Sequence, residues 1–541
     1  MAERTVSPER SEPSLPPPAA GAEDTSPALR RIARGGTANL VGAAVTGVAQ
    51  FALTVVVTRL LSQAEAGVFF STTSLFLLAV VVGNLGSNVG LVYFLSRCRA
   101  LGRTDLVGAY LSAALRPVVV VSVLLAVGLF VSAPELARIT VPDQAELGST
   151  VLRVLSLFIP LASLENVTLA GTRGLGTMRP NMLVALVGRP VLQLLLVALA
   201  LVLGLHVAAV SAGWSVAYLA TGVAAIAWLR RLARAARHDA TGTAATAPPA
   251  GDAQDEPDAH RVGRQFWAFS SPRALTSILQ IAMQRLDIVL VGALAGAGAA
   301  AVYTAATRFV VVGQTLGTAL GNASDPRIAE GMARDDRTDV SRIYQTSTAW
   351  LVTLTWPMFL MLVVYRDSML AVFGSGYTSA QSTLVVLSLA MLLSTLCGTV
   401  DSIIMMAGHT SWNLANAVVA AAVMFGLDVL LIPTWGVFGA AVGWASAIVV
   451  RNVVALAQAR IALQLHPFGR ATLIAVGLVL VSFLLVPLLT RAALGSGLTA
   501  IVVSAVVGGL LWLAGLRVFR GPLDLAALGA LRGRGRRPSA S

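Results

Sequence analysis

The chain has 541 residues, of which 56% are hydrophobic and only 12% charged, with a mean hydropathy of +0.78. Soluble domains average about 45–50% apolar and about 25% charged residues, so this composition excludes a string of soluble domains and describes a polytopic membrane protein. The net charge of +13 comes from 39 Arg, with no Lys, against 26 acids; in a membrane protein this reads first as loops charged to fix orientation, ahead of nucleic-acid binding.

Residues 1–36 are rich in Pro, Ser, Glu and Arg and read as a disordered cytoplasmic tail. They lack the short apolar core and small-residue cleavage site of a signal peptide. Fourteen apolar segments follow. The first six lie near 38–60, 67–92, 108–133, 148–170, 181–204 and 207–229. Six more lie near 267–295, 299–323, 343–365, 382–407, 412–433 and 436–459, and two near 471–490 and 497–517. All are expected to be helices, because a lipid-facing backbone must satisfy its own hydrogen bonds. The expected fold is therefore an all-α polytopic membrane protein of about 14 transmembrane helices.

With the N-terminus inside, the cytoplasmic segments hold 28 Arg and the outer loops four (Arg59, Arg138, Arg366 and Arg491). That asymmetry places both termini in the cytoplasm. Residues 230–264 are the one long loop, a basic run followed by Ala, Thr, Pro and Asp, and read as a flexible linker. The organisation is then an N-lobe at 37–229, the linker, a C-lobe at 265–460, two added spans within 461–517, and a basic tail at 518–541. The tail's Arg532–Arg537 run directly follows a span, so anionic lipid headgroups are its expected partners. Cys98 and Cys397 lie too far apart in sequence to suggest a disulfide framework or a zinc site.

The two lobes repeat. Leu155-Ser156-Leu157 recurs as Leu387-Ser388-Leu389, Gly176 as Gly408, Asn181 as Asn413, and Gly204 with Ala208-Ala209-Val210 as Gly436 with Ala440-Ala441-Val442. All share an offset of 232 residues. Six spans separate the copies, so both enter the membrane in the same direction, and a substrate path is expected between them.

Several of these stretches carry a family likeness. Thr58-Arg59-Leu60-Leu61-Ser62-Gln63-Ala64-Glu65-Ala66-Gly67 resembles the first-loop signature of Wzx-type oligosaccharide flippases. Gln284-Arg285-Leu286-Asp287 with Ala301–Ala306 resembles their seventh and eighth spans, and Phe373–Tyr377 with Met405–Gly408 the region around the tenth. The likeness runs from about residue 34 to 517 and extends to the MOP exporter superfamily, with multidrug MATE exporters and the lipid II flippase as relatives. The resemblance implies two six-helix lobes around a central cavity in a bacterial plasma membrane. It also implies a polyprenyl-diphosphate-linked oligosaccharide as cargo, and a polymerase or glycosyltransferases of the same pathway as protein partners.

Seven Arg lie within spans (Arg116, Arg153, Arg189, Arg273, Arg285, Arg308 and Arg451) against Glu165, Asp287, Asp401 and Asp428. Each such charge costs about 2.5–3.5 kcal/mol on insertion scales, so each should face a wet cavity or a partner. At about 1.5 Å per residue, Arg285 and Arg308 fall near the bilayer middle with Asp287 beside them. Two readings stand together: an ion pair of Asp287 with one Arg locking spans 7 and 8, and a surplus guanidinium that binds pyrophosphate. Arg153, Arg273, Arg451, Glu165, Asp401 and Asp428 lie nearer the boundaries and are expected to snorkel.

Arg116 and Arg189 each precede a proline and mark kinks, either static or hinged, and with Arg285, Arg308 and Asp287 they are candidate substrate-binding residues. Asn39, Gln50, Gln280 and Gln284 either line a sugar path or join helices. No P-loop, HExxH or GxSxG motif occurs, no cofactor is implied, and no outer loop is long enough for an enzyme site. The function expected is flipping of a lipid-linked glycan through a cationic cavity, with a lipid II flippase or a MATE-like exporter as alternatives and a glycan transferase a more distant one.

Overall fold

A computed structural model describes residues 27–243, 259–334 and 336–524, and among them every regular element is helical. The Arg532–Arg537 run and most of the expected N-terminal tail lie outside the described residues. Helix α1 (Pro27–Leu60) begins inside that expected tail. A Ser62–Glu65 capping box starts α2 (Gln63–Asn84): Glu65 N–H donates to Ser62 Oγ at 3.3 Å, and Ser62 N–H donates to Glu65 Oε2 at 3.0 Å. The span expected at 67–92 is not one helix. It breaks at Leu85 and Gly86, both left-handed with φ of 51° and 73°, and resumes as α3 (Ser87–Ala100). Gly is required at 86, because a Cβ there would stand 2.4 Å from the Ser270 carbonyl oxygen.

Helices α4 (Val107–Val131), α5 (Ala133–Thr140), α6 (Ala145–Ser156) and α7 (Ile159–Gly174) follow. The expected fourth span is bent by 44° between α6 and α7, where Pro160 opens the new helix without needing an N–H donor. The fifth span is a π-helix over Asn181–Gly188 continued by α8 (Arg189–Val202), so the expected disturbance at Arg189-Pro190 takes the form of a widened turn just before it. Helix α9 (Val207–Thr243) and α10 (Ala259–Ala295) both run into the expected linker, carried by Ala- and Arg-rich helix formers. Then come α11 (Ala297–Ala333), α12 (Arg337–Val364), α13 (Arg366–Ala371), α14 (Gln381–Leu396), α15 (Val400–Met406), α16 (Thr410–Trp435) and α17 (Val437–Ala462). The last spans are α18 (Arg470–Leu480) with α19 (Val486–Leu494), and α20 (Leu498–Val518).

Among the described residues twelve helices are long and apolar enough to cross a membrane, and the bent α6–α7 pair, taken as one span, makes a thirteenth. The expected eighth span coincides with α11, a 37-residue helix outside that set. At about 1.5 Å per residue it is long enough to cross, but its second half carries Gln314, Thr315, Thr318 and Asn322. The repeated glycines share a positive φ: 88° at Gly176 and 86° at Gly408, and 68° at Gly204 and 54° at Gly436.

The main core joins residues of α2, α6, α9, α11, α12 and α14, with Phe69, Phe76, Tyr303 and Phe359 fully buried. At the end of the bundle holding Arg59, α2 meets α11 at backbone distance. A Cβ on Gly67 would lie 1.6 Å from the Ala297 carbonyl oxygen. Gly67→Ala is therefore expected to destabilise the fold by at least about 1–3 kcal/mol, the usual range for overpacking. Thermal unfolding of the purified chain checks this, with Gly47→Ala, in a helix interior where nothing lies within 4 Å, as a control that should lose no stability.

Candidate functional site

Helices α10 and α11 run antiparallel, and their exposure changes abruptly halfway along. Towards the Arg59 end, Asp287, Ile288 and Val289 of α10 and Ala301 through Ala306 of α11 are buried. Towards the other end, Thr276, Gln280 and Gln284 are exposed at a four-residue spacing, and so are Gln314, Thr315 and Thr318 on α11. A lipid-facing stripe at this depth would be apolar. Exposed Gln and Thr stripes instead mark the walls of a hydrated cleft.

The Arg59 end is closed by contacts between the two halves of the chain. Arg59 donates from Nε to the Val372 carbonyl at 2.7 Å and from Nη2 to the Ala371 carbonyl at 2.6 Å, at the C-terminal end of α13. Asp143 accepts the Ala297 N–H at 3.0 and 3.2 Å, at the first turn of α11. A cation on helix carbonyls and an anion on a helix N-terminus are both favoured by the helix dipole.

Arg285 and Arg308 lie at the apex of the cleft, where exposure ends. Both are half-buried, and the buried Nε of each has no hydrogen-bond partner. Neither makes an ion pair among the described residues. The two guanidiniums interact electrostatically with each other and with Asp287, and Arg285 also reaches the field of Tyr218 on α9, across the cleft. The expected Asp287–Arg lock is absent. Asp287 is buried and committed elsewhere: Oδ2 accepts the Tyr303 hydroxyl at 2.9 Å, and Oδ1 accepts the Ile288 N–H at 2.8 Å. Spans 7 and 8 are thus joined by a carboxylate–phenol bond, which leaves both guanidiniums without a direct ion-pair partner among the described residues, although Asp287 stays within their electrostatic reach.

Arg189 is in the opposite condition. Its Nη1 lies 3.3 Å from Glu165 Oε1, Thr221 donates to Glu165 Oε2 at 2.9 Å, and the Tyr218 ring sits 5.2 Å below the guanidinium. Glu165 is wholly buried, so it does not snorkel as expected: it spends its charge on Arg189. Asp428 is likewise wholly buried, and neither carboxylate oxygen has a partner. Arg451 pairs with Asp401 at 2.7 Å, Arg273 stacks on Phe269 at 3.6 Å, and Arg153 lies 5.8 Å over Phe130.

Of the remaining sequence candidates, Gln280 and Gln284 are on the cleft wall. Gln50 is half-buried beside Phe51, whose ring meets that of Phe309 at 5.5 Å, so it sits close to the level of Arg308. Arg116 is exposed on α4 and has no polar partner among the described residues. The side chain of Asn39 lies outside the described residues. Sequence reasoning missed Asn84 and Asn88, which flank the break in the second span and whose amide oxygens are buried without partners. The Asn84-Leu85-Gly86-Ser87-Asn88 run was the available signal, a helix-breaking Gly between two side-chain amides.

A sealed end, a polar cleft and charged groups at its apex between two halves of a helical bundle define a membrane transporter. Residues 32–332, more than half of the chain, match the family described as polysaccharide biosynthesis protein, and residues 272–434 match MatE. The chain belongs to the polysaccharide biosynthesis protein family, within the MOP superfamily. Among curated proteins it is 21% identical over 191 residues to the probable low-salt glycan biosynthesis flippase Agl15 of Haloferax volcanii. That match covers 35% of this chain and spans only 40% of the relative. Among solved structures, the lipid II flippase MurJ in an inward closed conformation superposes with a TM-score of 0.66 at 13% identity, covering 90% of this chain and 99% of that one. An inward-facing multidrug resistance MATE transporter gives 0.60 at 15% identity, covering 80% and 98%.

The polar closure makes a direct prediction. Arg59→Ala with Asp143→Ala removes hydrogen bonds to charged groups, each worth about 1.5–3 kcal/mol, and should open the Arg59 end. Spin labels at Glu146→Cys and Ser379→Cys, with Cys98 and Cys397 replaced by Ser, should show a new longer-distance population. An unchanged distance distribution would mean that apolar packing alone holds this end shut.

Proposed function

We propose that the protein is a flippase that moves a polyprenyl-diphosphate-linked oligosaccharide from the inner to the outer leaflet of a bacterial plasma membrane, for cell-surface polysaccharide assembly. The observation that carries this reading is the pair of guanidiniums, Arg285 and Arg308, at the apex of a polar cleft, with no direct ion-pair partner among the described residues and with their Nε atoms unbonded. Arg offers a planar fork that gives two parallel hydrogen bonds to phosphate oxygens, and it stays charged where water is scarce. The pyrophosphate seats there, the glycan occupies the Gln- and Thr-lined cleft, and the polyprenyl tail remains in lipid. The Arg asymmetry of the loops supports cytoplasmic termini and a cleft open to the cytoplasm. Rocking of the two halves, with release of the Arg59 and Asp143 contacts, re-exposes the headgroup outside. The drive is an ion gradient, the membrane potential or consumption of the product outside, and the pathway's polymerase or glycosyltransferases are the partners this role implies.

A MATE-like cation exporter would present acids to the cleft, whereas here the apex groups are basic and Asp287 is turned into Tyr303. A lipid II headgroup shares the pyrophosphate and sugars, and a panel of cargoes separates the two. In proteoliposomes holding a fluorescent lipid-linked oligosaccharide, Arg285→Gln with Arg308→Gln should lower translocation at least about tenfold. Losing even one hydrogen bond to a charged group, about 1.5–3 kcal/mol, suffices for that. Undiminished translocation by the folded double variant would overturn the cationic-cleft mechanism.

A further inference from the structure

The break in the second span faces α10 across a pocket of about 250 Å3. Its polar lining is Asn84, Asn88, Ser277, Gln280 and Gln284, and Ile281 supplies an apolar surface. No charged side chain contributes to it. Asn84 is only 5% exposed, yet its Oδ1 has no partner, and the Oδ1 of Asn88 is buried and unpartnered too. Buried amide oxygens are almost always hydrogen-bonded, so two orphans on residues lining one pocket leave amide groups free to turn toward a ligand that donates to them. The backbone gives a second sign. Leu85 is held at φ 51°, a conformation that costs a bulky side chain energy and is maintained only where the surroundings impose it. That strain turns the chain so that Asn84 and Asn88 line the same pocket.

We propose that this pocket is a subsite for one neutral sugar ring, the residue of the cargo nearest its pyrophosphate, a statement that rests on the flippase reading above. Size and chemistry agree. The volume lies just below the about 300–1,000 Å3 of pockets for drug-sized ligands, so it suits a single ring. Side-chain amides both donate and accept, as vicinal hydroxyls and an N-acetyl group do, and a lining without cations gives a uronate no advantage. Register agrees as well. Gln284 directly precedes Arg285, and Gln280 lies about 7.5 Å from Arg285 along the helix axis, away from the sealed end. A cargo whose pyrophosphate sits on Arg285 and Arg308 therefore brings its first sugar into the pocket.

The test compares three lipids on the full chain by native mass spectrometry: polyprenyl pyrophosphate alone, the same lipid bearing one N-acetylhexosamine, and the same lipid bearing one hexuronic acid. The neutral sugar should tighten binding about tenfold over the bare lipid, as one or two hydrogen bonds supply, and the uronic acid should do no better than the neutral sugar. In Asn84→Leu, and in the cleft-exposed Gln280→Leu, which carries less folding risk, that preference should fall to within about twofold. Affinity for the bare lipid should stay at the wild-type value in both, which also reports correct folding. Equal affinity for bare and sugar-bearing lipids, a preference for the uronic acid, or a neutral-sugar preference that survives both substitutions would overturn the subsite. If none of the lipids binds the wild-type chain, the flippase reading fails separately. Methyl N-acetylhexosaminide alone, followed by saturation-transfer NMR, then decides the pocket: a signal lost in Asn84→Leu retains it as a sugar site, and no signal removes it.

Discussion

A guanidinium deep in a bilayer must find an ion-pair partner or water, and in this protein two of them lack a direct ion-pair partner among the described residues. Asp287 is the nearest acid to Arg285 and Arg308, but its oxygens are taken by the Tyr303 hydroxyl and the Ile288 N–H. Had Asp287 turned to either Arg, the site would hold a structural ion pair with little call for an anion. Tyr303 prevents that by offering a short, fully buried donor from the neighbouring helix. One phenol–carboxylate bond, which at first sight serves only to join α10 to α11, therefore keeps Asp287 out of direct contact with the guanidiniums and leaves them open to an incoming anion.

The rest of the architecture follows from housing that field. Two charges without a partner need hydration, and the Gln and Thr stripes of α10 and α11 admit it from one end. Hydration from both ends at once would make a pore, and the close approach of Gly67 to Ala297, with the Arg59 and Asp143 contacts, shuts the other. The N-terminal half contributes a neutralised counterpart: Glu165, Arg189, Thr221 and Tyr218 form a satisfied buried network facing the unsatisfied pair. The asymmetry puts the free positive charge on the C-terminal half.

Much of this was legible in the sequence, for physical reasons. Long apolar runs fix helices because lipid allows little else, and depth arithmetic alone put Arg285 and Arg308 near mid-membrane. Gln280 and Gln284 were legible as polar positions one helical turn apart. What sequence could not settle was which acid serves which base. Glu165 and Arg189 are 24 residues apart on different helices, and their meeting depends on how α7, α8 and α9 pack. Asp287 has two Arg and a Tyr within reach, and only packing shows that the Tyr wins. The interruption at Leu85 and Gly86 was hidden because hydropathy averages across a break, so a span with a functional kink resembles one without. The linker was shortened from both sides for a related reason: Ala and Arg read as low-complexity sequence yet favour helix.

The central claim is that the free guanidiniums seat the pyrophosphate of the cargo. Cryo-electron microscopy of the full chain in lipid nanodiscs with polyprenyl pyrophosphate tests it most directly. The account predicts phosphate density within hydrogen-bonding distance of both Arg285 and Arg308, with Asp287 still bonded to Tyr303. Phosphate density seated elsewhere, with the two guanidiniums unengaged or with Asp287 swung onto one of them, would contradict it.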